Sequence, residues 1–150
     1  MKKFIGFFLI VCLVTIMFFS SKYTSNKGYD TSTPKTIVQS YFLALNNNDY
    51  EFIKSLSGNK DYVDNTSASI IKTAKLIYIK EDKRNAENFI KYGMGMRNNY
   101  YDVISFKVTY YINHKKGEDP FRSDGINIKW ITLTKDKEDS PWIFREMGEG

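Results

Sequence analysis

Between Tyr100 and Lys115 the chain reads YYDVISFKVTYYINHK, and this stretch constrains the fold more than any other. Ile104, Phe106, Val108, Tyr110 and Ile112 fall on one parity, and Ser105, Lys107, Thr109, Tyr111 and Asn113 on the other. Side chains of a strand alternate between faces, so this spacing predicts a long strand with one buried face. Three further segments carry strand signals: KTAKLIYIKED, INIKWITLTK and PWIFREMGEG. In INIKWITLTK, the apolar set runs Ile126, Ile128, Trp130 and then shifts to Ile131 and Leu133, a one-residue slip that predicts a bulge or twist near Trp130. Pro141 stands at the head of the last strand, where a missing donor is tolerated. Trp130 and Trp142 are expected to pair across adjacent strands.

Upstream the period changes. In STPKTIVQSYFLALNNND, Thr33 suits an N-cap and Pro34 the first helical position, while Ile37, Val38, Tyr41, Phe42 and Leu45 recur at helical spacing. Three asparagines, Asn46 to Asn48, break that helix, and Asp49 caps a second one, YEFIKSL. NAENFIKYG reads as a short helix or a loop. Helices grouped ahead of strands argue an α+β class, with the first helix packed on one face of an antiparallel sheet.

Ahead of this domain, Phe4 to Phe19 is an uncharged apolar run preceded by Lys2 and Lys3. As a helix it spans roughly 24 Å at about 1.5 Å per residue, against a hydrocarbon core of about 30 Å. A basic start, an apolar run and a polar follow-on define a signal anchor over residues 1–20. The lysines keep the N-terminus cytoplasmic, so the rest faces outward. Phe18 and Phe19 occupy the positions where a signal peptidase needs a small residue, which favours an uncleaved anchor over a secreted product. Cys12, the one cysteine, follows the branched Val11, and the apolar run continues beyond it. Both features argue against lipidation and for an inert anchor residue. The outer part therefore carries no disulfide. Residues 21–33 are polar and rich in Ser and Thr, a linker, and residues 34–150 form one domain.

The net charge of +5 would suit a nucleic-acid partner if it were clustered on the domain. It is not: from Asp30 onward there are 18 basic and 17 acidic residues. A near-neutral domain outside the cell is a poor nucleic-acid binder. The expected partners are the membrane, through residues 4–19, and a protein of the cell envelope.

The opening helices TPKTIVQSYFLALNNNDYEFIKSL, with the aromatic pair Tyr41 and Phe42, the small Ala44 and the acidic Asp49, resemble the nuclear transport factor 2-like superfamily of α+β cones. The Trp-containing final strand SPWIFREMGEG is similar too. The likeness extends to envelope proteins and lipoproteins of low-GC Gram-positive bacteria, from whose lipoprotein members this chain departs in lacking a lipobox. It implies a curved sheet with helices over its hollow. In that hollow some members isomerise or dehydrate a ligand, and many only bind one.

An enzyme of this type needs an acid or base in the hollow. His114, the single histidine, sits beside Lys115 and Lys116 at a strand end, where solvent is expected. Asp102 lies two residues before Ile104, on the apolar parity, and is the remaining candidate base. A lone carboxylate there is expected to be solvated at the strand's start rather than buried. Metal-ligand spacing and cofactor motifs are absent. GMGM, Gly93 to Met96, lacks the lysine and hydroxyl of a phosphate loop, and EDKRNAEN reads as a solvated charge run. The 11 tyrosines and 11 phenylalanines read mainly as core. The expected function is a non-catalytic binding or assembly module; the alternative is a small-pocket isomerase or dehydratase.

Overall fold

The computed structural model describes residues 28–57, 68–115 and 124–149. The expected anchor over 4–19, with Cys12, lies outside the described residues, among which no helix is long and apolar enough to cross a membrane.

Helix α1 spans Pro34–Asn46. The Thr33 side chain accepts from the backbone N–H of Thr36, whose own side chain accepts from the N–H of Thr33, so two otherwise orphaned donors are satisfied at once. The helix ends where Asn48 takes a left-handed φ of 51°, a conformation asparagine tolerates better than most residues. Asp49 then caps α2 (Tyr50–Leu56) by accepting from the N–H of Phe52. Asn46 does more than break α1. Its side-chain amide donates to the carbonyl of Ala74, and its Oδ1 accepts the Ala74 N–H at 2.8 Å. Ala74 belongs to the edge strand β1, so the helix end covers backbone groups that an edge would leave open.

The sheet is an antiparallel meander in the order β1 (Ile71–Glu81), β2 (Asp102–His114), β3 (Gly125–Lys135) and β4 (Ile143–Gly148). The chain is thus α+β with a four-stranded antiparallel sheet. Among the described residues one helix interrupts the meander: α3 (Lys83–Tyr92), followed by a 3-10 turn over Met94–Arg97, lies between β1 and β2. The helices are therefore not all grouped ahead of the strands.

Helices α1 and α2 close the front face. Ile37, Val38, Phe42 and Leu45 of α1 form one buried cluster with Phe106 and Val108 of β2, Ile131 and Leu133 of β3 and Phe144 of β4. Aromatic rings interlock there: Phe42 tilts against Tyr110 at 5.1 Å and Tyr41 against Phe144 at 5.0 Å.

The bulge expected at Trp130 is not there. The β2–β3 register is unbroken from Asp102↔Lys135 to Ile112↔Gly125. What changes at Trp130 is which face is apolar. Ile131 and Leu133 point to the front core, whereas Ile126, Ile128 and Trp130 stand on the back face, opposite Tyr111, Thr109 and Lys107. The irregularities fall elsewhere, in β1 between Ile71 and Thr73 and between Leu76 and Tyr78, and at Arg145 of β4, which is the extra residue opposite Thr132 and Leu133. Trp130 and Trp142 do not pair, because Trp130 faces Gly148 while Trp142 precedes the strand at its other end.

Candidate binding face

The back of the sheet divides into a covered half and an open half. Helix α3 covers the half nearest the start of β2, burying Ala86 and Phe89. Beneath it lie hydroxyls rather than hydrocarbon: Ser105, Thr132 and Thr134 are fully buried. Thr132 donates to Glu146 Oε1 at 3.3 Å, which leaves the Ser105 hydroxyl to donate to Thr132 at 2.8 Å. The β4 bulge sets Arg145 on the same face as Glu146. Its Nε donates to Thr134 Oγ1 at 2.9 Å, its Nη2 to Asp136 at 3.2 Å, and its guanidinium lies 5.2 Å from the Tyr100 ring.

Burial holds the Glu146 carboxyl above the usual glutamate range, partly offset by the Thr132 hydroxyl. A folded-state pKa above the unfolded one means that the folded protein holds the proton more tightly. The penalty for ionising Glu146 is therefore absent below the unfolded value of about 4.3, grows as pH rises through the folded pKa, and is complete above it. Glu146→Gln is expected to raise the unfolding midpoint at neutral pH, with the gain vanishing in acid. Urea titrations at both pH values check this, and a gain that persists in acid would refute it.

Asp82 marks the border between the halves. It caps α3 through the N–H of Asn85 at 3.0 Å and accepts from Trp130 Nε1 at 2.9 Å. The Trp130 bond is the main reason that its pKa lies below the ordinary aspartate value. On the other side of Trp130, the Lys107 ammonium stands 5.0 Å from the ring. Nothing in the charge run EDKRNAEN singles out Asp82; its partner is 48 positions away.

The open half shows Tyr78, Thr109 and Ile128 in one cross-strand row and Lys75, Tyr111 and Ile126 in the next. Tyr78, Tyr111, Ile126 and Ile128 are exposed, Ile126 by 71%. Lys75, Lys80 and Lys107 stand on the same face. The result is an apolar strip with a cationic rim.

The residues singled out in the sequence do not meet in a site. Asp102 is exposed, its Oδ1 accepting the N–H of Val103 at 2.8 Å. His114, expected in solvent, is corrected: its side chain is only 8% exposed. Its backbone N–H, at 2.9 Å, and its Nδ1, at 2.7 Å, both meet the Asp124 carboxylate. These contacts, the backbone one first, hold Asp124 below the usual aspartate pKa, so Asp124 accepts and Nδ1 carries the proton. The imidazole thus ties the end of β2 to the start of β3. A surface depression of about 270 Å³, lined by Glu81, Lys83, Ala86, Ile90, Val103 and Ser105 among others, lies between α3 and β2. Neither Asp102 nor His114 lines it. Among the described residues no cluster of three or more His, Cys, Asp or Glu side chains could hold a metal ion.

Fold and surface together define a small α+β domain with one filled face and one partly open face. The sequence matches the family described as Domain of unknown function (DUF4829) over residues 35–148, and the chain belongs to that family. No curated protein and no solved structure matches it.

Proposed function

We propose that this chain is a membrane-anchored, extracytoplasmic binding or assembly module of the nuclear transport factor 2-like cone type, not an enzyme. The observation that carries the reading is the open strip of Tyr78, Tyr111, Ile126 and Ile128. A monomeric domain rarely leaves contiguous large apolar side chains in water without a use for them. The front face supports the same reading: where a cone enzyme would keep a hollow, Phe42, Phe106, Tyr110 and Phe144 are buried together. The isomerase or dehydratase alternative would need an acid–base pair shut away from water, and Asp102 stands exposed. The strip's rim of Lys75, Lys80 and Lys107 fits an envelope protein that presents an apolar surface edged by carboxylates.

The test is a photo-crosslinking residue at Ile128 in the full chain, expressed in its own membrane. One discrete adduct is expected, lost with Tyr111→Ser and weakened by Lys107→Glu. Equal yields from Ile128 and from the exposed Glu138 would overturn the docking role. Protease added to intact protoplasts should digest the domain, and protection of the domain would overturn the topology.

A further inference from the structure

Gly93 to Met96, the GMGM sequence at the end of α3, forms a braced apolar prong. The two glycines are set against Phe89, which is buried under α3 and stacks on Tyr100 at 6.0 Å. A Cβ on Gly95 would stand 2.7 Å from the Phe89 carbonyl oxygen and 2.8 Å from its ring, and one on Gly93 would stand 3.0 Å from that oxygen. Only glycine permits so close an approach. Gly95 is buried against that ring, while the larger side chains around it turn outward: Tyr92 is 80% exposed, Met94 51% and Met96 63%. Lys91 and Arg97 flank them directly, and α3 carries two further cations, Lys83 and Arg84, at its other end, against one carboxylate, Glu87.

We propose that this prong is a lipid-contact site, in which Tyr92, Met94 and Met96 enter the headgroup region of an anionic bilayer while Lys91 and Arg97 beside them meet lipid phosphates. Apolar tips flanked by basic residues are the composition of interfacial membrane segments. An acidic protein groove would suit the charge as well, but three flexible or aromatic tips on a convex turn favour a deformable medium over a shaped pocket. The inference rests on the anchored reading in one respect: the linker over 21–33, at no more than about 3.6 Å per residue, keeps the domain within reach of the bilayer.

The test uses the full chain, reconstituted into bilayers containing phosphatidylglycerol, with spin labels read by collision with oxygen and with a water-soluble nickel chelate. A label on native Cys12 reports the anchor. In a Cys12→Ser background, Met96→Cys reports the prong, and Lys72→Cys reports the opposite end of the sheet. The oxygen-to-nickel accessibility ratio at position 96 is expected to exceed that at position 72 several-fold, and to fall when phosphatidylglycerol is replaced by phosphatidylcholine. Aqueous values at 96 with a deep Cys12 would overturn the prong and leave the anchor standing. An aqueous Cys12 would overturn the anchor, and a label at 96 that still enters the bilayer would then support the prong alone. Immobilisation at 96 only in native membranes, and not in pure lipid, would assign the surface to a protein and overturn lipid contact.

Discussion

Replacing Phe106 by alanine is expected to cost the domain about 3–5 kcal/mol of folding stability, as buried Phe truncations do. Phe106 is 4% exposed and sits in the front cluster beside Val108, with Ile131 directly opposite on β3. Helix α1 belongs to the same cluster and is tied to the neighbouring strand β1 by the Asn46–Ala74 bonds, so removing the ring leaves a cavity among elements already held together. Such a site cannot easily collapse, which places the loss in the upper part of the range for core deletions. One position on, Lys107→Ala removes only a half-exposed side chain over Trp130, worth about 0.5–1 kcal/mol. Urea unfolding of both variants checks the contrast. Equal losses would mean that the face assignment of β2 is wrong. Since a domain of this size has only about 5–15 kcal/mol in total, Phe106→Ala is also expected to reduce the folded yield at elevated temperature.

The front of the molecule was legible in the sequence because its determinants are local. The Thr33–Pro34 start, the asparagine break, the Asp49 cap and the β2 alternation are each settled by neighbours a few residues apart. The back face was not, and β3 shows why. Period-two reading assumes that one face is buried throughout. Here the front is buried at Ile131 and Leu133, while the apolar residues of the first half, Ile126 and Ile128, stand on the open back. A strand that changes its apolar face without changing its register looks like a bulge when only its sequence is read. Helix α3 was ambiguous for a related reason. It covers Ser105, Thr132 and Thr134, so the strand positions beneath it are polar and resemble solvent-facing ones. Burial of hydroxyls is affordable only because they bond to one another and to Glu146 and Arg145, partners that no short window reveals. The burial of His114 is hidden in the same way, since Asp124 lies ten residues further along the chain. Of the prong at the end of α3, the GMGM sequence is visible, and it lacks the lysine and hydroxyl of a phosphate loop. That Gly95 makes room for the Phe89 ring needed the fold.

The second large effect is expected from Phe89→Ala, and it should differ in kind from the first. Phe89 is 3% exposed, so the loss is again expected at about 3–5 kcal/mol if α3 stays docked. But α3 is held to the sheet by little else: Ala86, the Asp82–Trp130 bond and the Asp82 N–H to the Ser105 carbonyl. Once the ring is gone, detaching the C-terminal part of the helix costs less than keeping a cavity. The expected result is therefore local opening. Amide exchange should accelerate across Phe89–Arg97, while the front cluster around Val38 and Leu133 keeps its protection and global unfolding in urea shifts less than for Phe106→Ala. Gly95→Ala attacks the same contact from the other side, since its Cβ must displace the Phe89 ring or backbone; overpacking of this sort costs about 1–3 kcal/mol. Gly148→Ala, where a Cβ meets nothing within 4 Å, is the control. Uniform loss of protection across both faces in Phe89→Ala would mean that α3 belongs to the same cooperative unit as the front core. In that case the prong could not move independently of the fold, and its exposed tips would have to meet their partner as a rigid body.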